Sequence, residues 1–94
     1  PFVAEIARDF LDDVPRQLAA LSACVRNGEV EAAGRLAHTI RGACGNVGAA
    51  AMSAAASEIE AAGRAGRLEK TTALLPELER QLELLRPRMS EVLR

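Results

Sequence analysis

The chain of 94 residues has no Trp, no Tyr, two Phe, one His, two Cys and one Lys, and its formal net charge is −1. Each scarcity removes a class of function. Without a basic surplus nothing is available to neutralise phosphates along a duplex, which excludes general nucleic-acid binding. One His without Cys–His spacing or clustered carboxylates cannot close a ligand shell, so neither a metal nor a haem site of the chain's own is expected. Cys24 and Cys44 show neither CxxC spacing nor the density of a disulfide scaffold, and are expected to be reduced, inert core thiols of a cytoplasmic protein. The apolar run near residues 47–56 is alanine-rich and too short for a span of about 20 residues, and no signal-peptide pattern opens the chain. No direct membrane contact is expected.

Length sets a further limit. A chain this short buries roughly 60 to 65% of its unfolded surface, enough for one core but not for a large enclosed cavity. One monomeric domain over 1–94 is therefore expected. The first residue is Pro rather than Met, and the chain is expected to be a segment of a longer protein or a processed one.

What is abundant is Ala, Leu, Glu and Arg, all good helix formers, whereas the β-branched and aromatic residues that favour strands are sparse. The expected fold is all-α. Glycines at Asn27-Gly28, Gly45 to Gly48 and Gly63 to Gly66 supply left-handed caps that divide the chain into four helical segments. The first, Phe2 to Arg26, carries Ile6, Phe10, Val14, Leu18, Leu21 and Val25 at spacings of three and four. Pro15 interrupts it, so the pattern predicts a short extra N-terminal helix to about Asp13 and a restart with Asp12 and Asp13 at the new N-terminus. The second, Glu29 to Cys44, places Ala33, Leu36, Ala37, Ile40 and Cys44 on one arc. The third, Ala49 to Ala65, buries Met52, Ala55, Ala56 and Ile59, and its alanine-rich start predicts close helix packing there. The fourth, Glu69 to Leu93, carries Leu74, Leu75, Leu78, Leu82, Leu85, Met89 and Leu93. It contains Pro76 and Pro87, and the pattern leaves open whether the helix starts at Pro76 or bends there. Short connections favour an antiparallel up-down four-helix bundle.

On the wheel of the second segment His38 lies about 140° from the centre of the apolar arc, at its solvent margin. Gly34, Gly42 and Gly45 lie around it, although glycine costs a helix about 1 kcal/mol per position relative to alanine. The pattern predicts a bare docking ridge around one reachable imidazole. With a reference pKa of about 6.5, an exposed imidazole is mostly neutral just above pH 7, as a nucleophile must be.

The string Ala37-His38-Thr39-Ile40-Arg41-Gly42-Ala43-Cys44-Gly45-Asn46-Val47-Gly48 resembles the signature of histidine-containing phosphotransfer (HPt) domains. That signature is His, a variable residue, an aliphatic, a basic residue, Gly, small residues, and Gly again ten positions after the His. The four segments also follow the family's helix order. The resemblance implies that His38 is phosphorylated at Nε2 and that Arg41, commonly Lys in the family, contacts the phosphate or the partner. A Glu or Gln 22 positions after the histidine often orients the ring through Nδ1, and Glu60 holds that position. The resemblance further implies receiver domains of response regulators or of a hybrid histidine kinase as partners, with Mg²⁺ supplied by the receiver and no cofactor of the chain's own. The chain is expected to relay phosphoryl groups between receivers in two-component signal transduction, in the cytoplasm or as the cytoplasmic part of a membrane-bound sensor kinase. It is not expected to be an autonomous enzyme, though it fits as part of a hybrid kinase.

Alternatives remain at this point. Glu60 could simply pair with Arg64 one turn on, a surface bridge of about 0.3 to 0.5 kcal/mol. The chain could be a structural or adaptor bundle, or the phosphotransfer module of a chemotaxis-type kinase. A kinase dimerisation domain fits poorly, because an acidic residue usually follows its His and Pro stands a few positions later, whereas Thr39 follows His38 and no Pro occupies 42–46.

Overall fold

A computed structural model describes residues 2–94, which form four helices: α1 (Phe2–Arg26), α2 (Val30–Val47), α3 (Ala50–Arg64) and α4 (Leu68–Val92). No strand occurs among the described residues. The helices pack in a ring, α1 on α2, α2 on α3, α3 on α4 and α4 on α1, giving a helical bundle of 41 × 19 × 17 Å. No helix is long and apolar enough to cross a membrane.

The apolar stripes meet in one core. Phe10, Val14, Leu18, Leu21 and Val25 of α1 join Ala33, Ala37, Ile40 and Cys44 of α2, Met52, Ala55, Ala56 and Ile59 of α3, and Leu75, Leu78, Leu82 and Leu85 of α4. Ile6, Leu36, Leu74, Met89 and Leu93 are only half-buried at its margin. Thr71 is fully buried, and its hydroxyl donates to the Arg67 carbonyl at 2.9 Å, which removes the cost of an unpaired polar group.

Pro15 does not divide the first segment. α1 is continuous through it, so the short extra N-terminal helix is absent, and Asp13 is an interior residue paired with Arg16 at 2.7 Å rather than a cap. The lost N–H and the ring clash cost about 3 kcal/mol, whereas each large apolar side chain buried along α1 contributes about 1.5 to 3 kcal/mol. Five such side chains outweigh one proline. Arg16 also donates from Nε to the Asp12 carbonyl at 2.8 Å, in the turn that the proline weakens. Likewise α4 begins at Leu68, well before Pro76, and both Pro76 and Pro87 are interior residues with exposed rings.

The three connections share one construction. Glu29, Ala49 and Arg67 donate their N–H to the carbonyls of Cys24, Cys44 and Ala62 at 2.8 to 3.0 Å, while Gly28, Gly48 and Gly66 bond to Val25, Gly45 and Gly63. That pair of bonds is the Schellman motif. It requires a left-handed residue, and at the end of α2 Gly48 supplies it with φ 68. Because α2 runs on to Val47, Gly45 is a helical residue that gives the turn only its carbonyl, and the left-handed position belongs to Gly48.

Gly63, expected to mark a turn, is instead buried within α3 against Gly34 of α2. A Cβ built on Gly63 would lie 2.6 Å from Gly34 Cα and 2.8 Å from both Gly34 N and Val30 O, all backbone atoms. The two helices therefore approach closely at this crossing. A Cβ on Gly42, by contrast, meets nothing within 4 Å. Gly63→Ala should lower stability by about 2 to 3 kcal/mol, as overpacking against an immovable neighbour does, whereas Gly42→Ala should raise it by about 0.5 to 1 kcal/mol. Urea unfolding followed by circular dichroism checks both signs.

Candidate functional site

Four residues after Gly34 stands His38, and three before Gly63 stands Glu60, so the glycine crossing brings these two side chains face to face. His38 Nδ1 lies 2.9 Å from Glu60 Oε2. The His38 side chain is 57% exposed and that of Glu60 only 6%. With Nδ1 turned inward to a buried group, the outer edge of the ring carries Nε2.

Two arginines complete the cluster. Arg64 Nη2 lies 2.7 Å from Oε2, one turn along the same helix, and Arg41 Nε lies 2.9 Å from Oε1 across the α2–α3 interface. The Arg64 pair expected as a surface bridge thus exists, but on a carboxylate that also holds the ring. Arg41 Nε is buried and its N–H is not directed at an acceptor, so its contact with Oε1 is one of charge and not a directed hydrogen bond.

Burial alone would raise the Glu60 pKa, but the His38 hydrogen bond and the charges of Arg41 and Arg64 outweigh it and hold Glu60 below its ordinary value. Glu60 is therefore a carboxylate near neutrality, and a carboxylate only accepts hydrogen bonds. Nδ1 must then carry the proton. In the neutral ring this leaves the lone pair on Nε2, the nitrogen at the exposed edge.

Arg41 Nη2 also lies 3.1 Å from Nδ1. Since that nitrogen gives its proton to Glu60, the guanidinium meets an N–H there and not a lone pair. Arg41 thus sits on the Nδ1 side of the ring, against Glu60, away from the edge at which the sequence resemblance places a phosphate contact.

The glycines separate into two kinds. Gly42 and Gly45 are exposed, and an added Cβ on either meets nothing within 4 Å, so they form an open ridge beyond His38. Gly34 is buried, and its added Cβ would press on Gly63 Cα at 3.2 Å. It belongs to the helix crossing and not to an accessible docking surface. Its angle at the margin of the apolar arc fits a helix contact as well as it fits solvent, and the partner glycine on α3 was the signal that distinguished them.

Cys44 is fully buried, and burial pushes its thiol up to about 11. Cys24 is only partly buried, contrary to expectation, and burial with the nearby Glu29 raises its pKa too. Both thiols are poor nucleophiles. Among the described residues no three His, Cys, Asp or Glu side chains converge as metal ligands would.

A helical bundle that presents one oriented, exposed imidazole between helical glycines has the features of a phosphotransfer protein. The Hpt domain family model matches residues 5–87, and the chain belongs to that family. Membership implies histidine phosphotransfer in a phosphorelay, in which Hpt domains interact with receiver domains. No curated protein and no solved structure matches the chain.

Glu60's depressed pKa has a consequence for stability. A carboxylate with a folded-state pKa below its unfolded value stabilises the fold above the unfolded value, and that contribution is lost as pH falls through the folded one. Stability should thus decline as pH drops below about 4.5. Glu60→Gln should cost about 1 to 3 kcal/mol at pH 7 and flatten this acid decline, measured by urea unfolding at pH 7 and near pH 3.

Proposed function

We propose that the chain is a phosphorelay intermediate that accepts a phosphoryl group from a receiver aspartate onto His38 Nε2 and hands it to another receiver. The observation that carries this reading is the hydrogen bond between Nδ1 and the buried Glu60 carboxylate, which assigns the lone pair to the exposed nitrogen. In the forward step the Nε2 lone pair forms the N–P bond as the acyl phosphate P–O bond breaks, and that electron pair leaves with the receiver's carboxylate. The Nδ1 proton stays in its bond to Oε2. As the ring gains positive charge, Glu60 stabilises it at 2.9 Å. Glu60 is the ring-orienting residue in this scheme. Mg²⁺ bound by the receiver neutralises the transferring phosphoryl oxygens, and no side chain of this chain is assigned to it.

Docking uses the open ridge of Gly42 and Gly45, and Arg41, which rests against Glu60 on the Nδ1 side of the ring before transfer, turns to the phosphate or partner as the complex forms. Next to the ridge runs a groove between α1 and α2 lined by Ile6, Phe10, Thr39, Ala43 and Asn46, which extends the surface a receiver can cover. The reading takes residues 1–94 as one module acting in the cytoplasm, with the helices in up-and-down antiparallel order. Support for that order comes from the α2–α3 face, where Gly34 meets Gly63 and, further along α2, His38 meets Glu60, further back on α3.

The test mixes the protein with Mg²⁺ and phosphorylated receivers. Acid-labile, alkali-stable phosphate should appear on the wild type and not on His38→Gln; equal labelling of both, or none with every receiver of the source genome, contradicts the proposal. Gly42→Leu or Gly45→Leu should slow transfer at least about tenfold with the helical circular dichroism spectrum intact. Unchanged rates would remove the ridge from the docking surface.

A further inference from the structure

We infer that Arg64 is the standing counter-ion of Glu60, which frees Arg41 to exchange from the carboxylate onto the phosphoryl group; the inference rests on His38 being the phosphorylated residue. The two arginines hold Glu60 in different ways. Arg64 reaches Oε2 from one turn along its own helix at 2.7 Å, a contact of charge like that of Arg41, but one that needs nothing from α2. Arg41 reaches across the interface, with a misdirected Nε at 2.9 Å from Oε1 and with Nη2 at 3.1 Å from a nitrogen that is already a donor. Arg41 is therefore drawn to Glu60 by charge but offered no well-formed hydrogen bond.

A phosphoryl group on Nε2 changes that balance. It presents anionic oxygens to a guanidinium one helical turn from the ring, and charge-assisted, bidentate bonds of that kind are stronger than a misdirected contact. Were Arg41 the sole cation at Glu60, its departure would leave a carboxylate of 6% exposure with no partner except the ring. Removing one member of a buried pair in that way is strongly unfavourable. Arg64 prevents it by remaining on Oε2 throughout. Arg64 is thus a positioning residue, acting through Glu60 and Arg41 without touching the phosphoryl group.

The role predicts coupling between the two arginines. In Arg64→Ala, Arg41 becomes the only cation on Glu60 and is held back from the phosphoryl group, so uptake should slow about tenfold, close to the loss in Arg41→Ala. In the double variant the losses should not multiply, because the residue that Arg64 frees is already gone. Arg64→Lys retains the charge and should recover most of the rate.

The probe is phosphoramidate, a small donor that removes receiver docking from the measurement. Nε2–P forms as the P–N bond of its N-protonated form breaks and ammonia leaves. Uptake is followed on the wild type, His38→Gln, both single alanine variants, the double variant and Arg64→Lys, with urea unfolding to verify that each is folded. Arg64 is 71% exposed, so its truncation should leave the core intact. If Arg64→Ala matches the wild type, if Arg64→Lys rescues nothing, or if the two losses multiply to about a hundredfold, the counter-ion role is overturned while phosphotransfer at His38 stands. If the wild type takes up no phosphate, or His38→Gln takes up as much, the functional reading itself fails and this inference falls with it.

Discussion

The contact between Gly34 and Gly63 sets the geometry of everything around it. Interior helix positions disfavour glycine by about 1 kcal/mol each relative to alanine, and two of them facing each other across an interface represent a deliberate loss of helix stability. What the loss permits is backbone approach close enough that an added Cβ on Gly63 would sit 2.6 Å from the opposing Cα. Side chains one turn away are then brought within hydrogen-bond distance. His38 and Glu60 are those side chains. A wider crossing, such as two alanines would impose, would separate Nδ1 from Oε2 and let both groups turn to water. The imidazole would still be exposed, but its tautomer would no longer be fixed.

A buried carboxylate is a poor way to stabilise a small bundle. Desolvation works against the charge, and replacement by an apolar residue of similar volume is often neutral or favourable in such sites. The chain nevertheless surrounds Glu60 with a ring N–H and two guanidinium groups, enough to keep its pKa below the ordinary value despite burial. The arrangement makes sense for chemistry at the ring. An acceptor-only group on one nitrogen assigns the lone pair to the other, and an amide in the same place could do so only by its orientation. The negative charge also favours the cationic ring that forms on attack, while the arginines offset that charge when the ring is neutral. Glu60, held in place before attack, stabilises that charge without itself reorganising at the moment of transfer.

Much of this was legible in the sequence, because the strongest signals are local. The stripes of α1 and α4 follow from apolar spacing, the three turns from glycines at Schellman positions, and His38 and Glu60 from a motif with a fixed separation. The misreadings share a cause in tertiary packing. Pro15 is a helix breaker by local rules, and a chain burying Phe10, Val14, Leu18 and Leu21 along one continuous face overrides it; at Pro76, where local rules left a start or a bend open, the buried stripe of Thr71, Leu75, Leu78 and Leu82 carries α4 through. Gly34 and Gly63 are turn or surface residues by local rules, and become packing residues only when each is opposite the other. The Glu60–Arg64 pair, open in the sequence as an alternative to ring orientation, exists together with it, because Glu60 turns inward to α2, which a wheel of α3 alone does not reveal. In each case the missing information was the identity of the neighbouring helix face.

The same residue type thus serves two opposite ends on one helix face, and burial distinguishes them. A Cβ on Gly34 would press on backbone atoms of Gly63 and Glu60 at 3.2 to 3.3 Å; Gly42 and Gly45 have open space where a Cβ would go. For the first, the close helix contact is a reason for glycine. For the other two, folding gives no reason, since alanine would fit, favour the helix and disturb nothing in this chain. What a methyl group there would obstruct is the approach of another surface to the helix backbone beside His38. Contacts outside the fold are the remaining explanation for residues that lower its stability without a contact inside it, and the receiver docking proposed above would place those contacts one and two turns beyond the oriented ring.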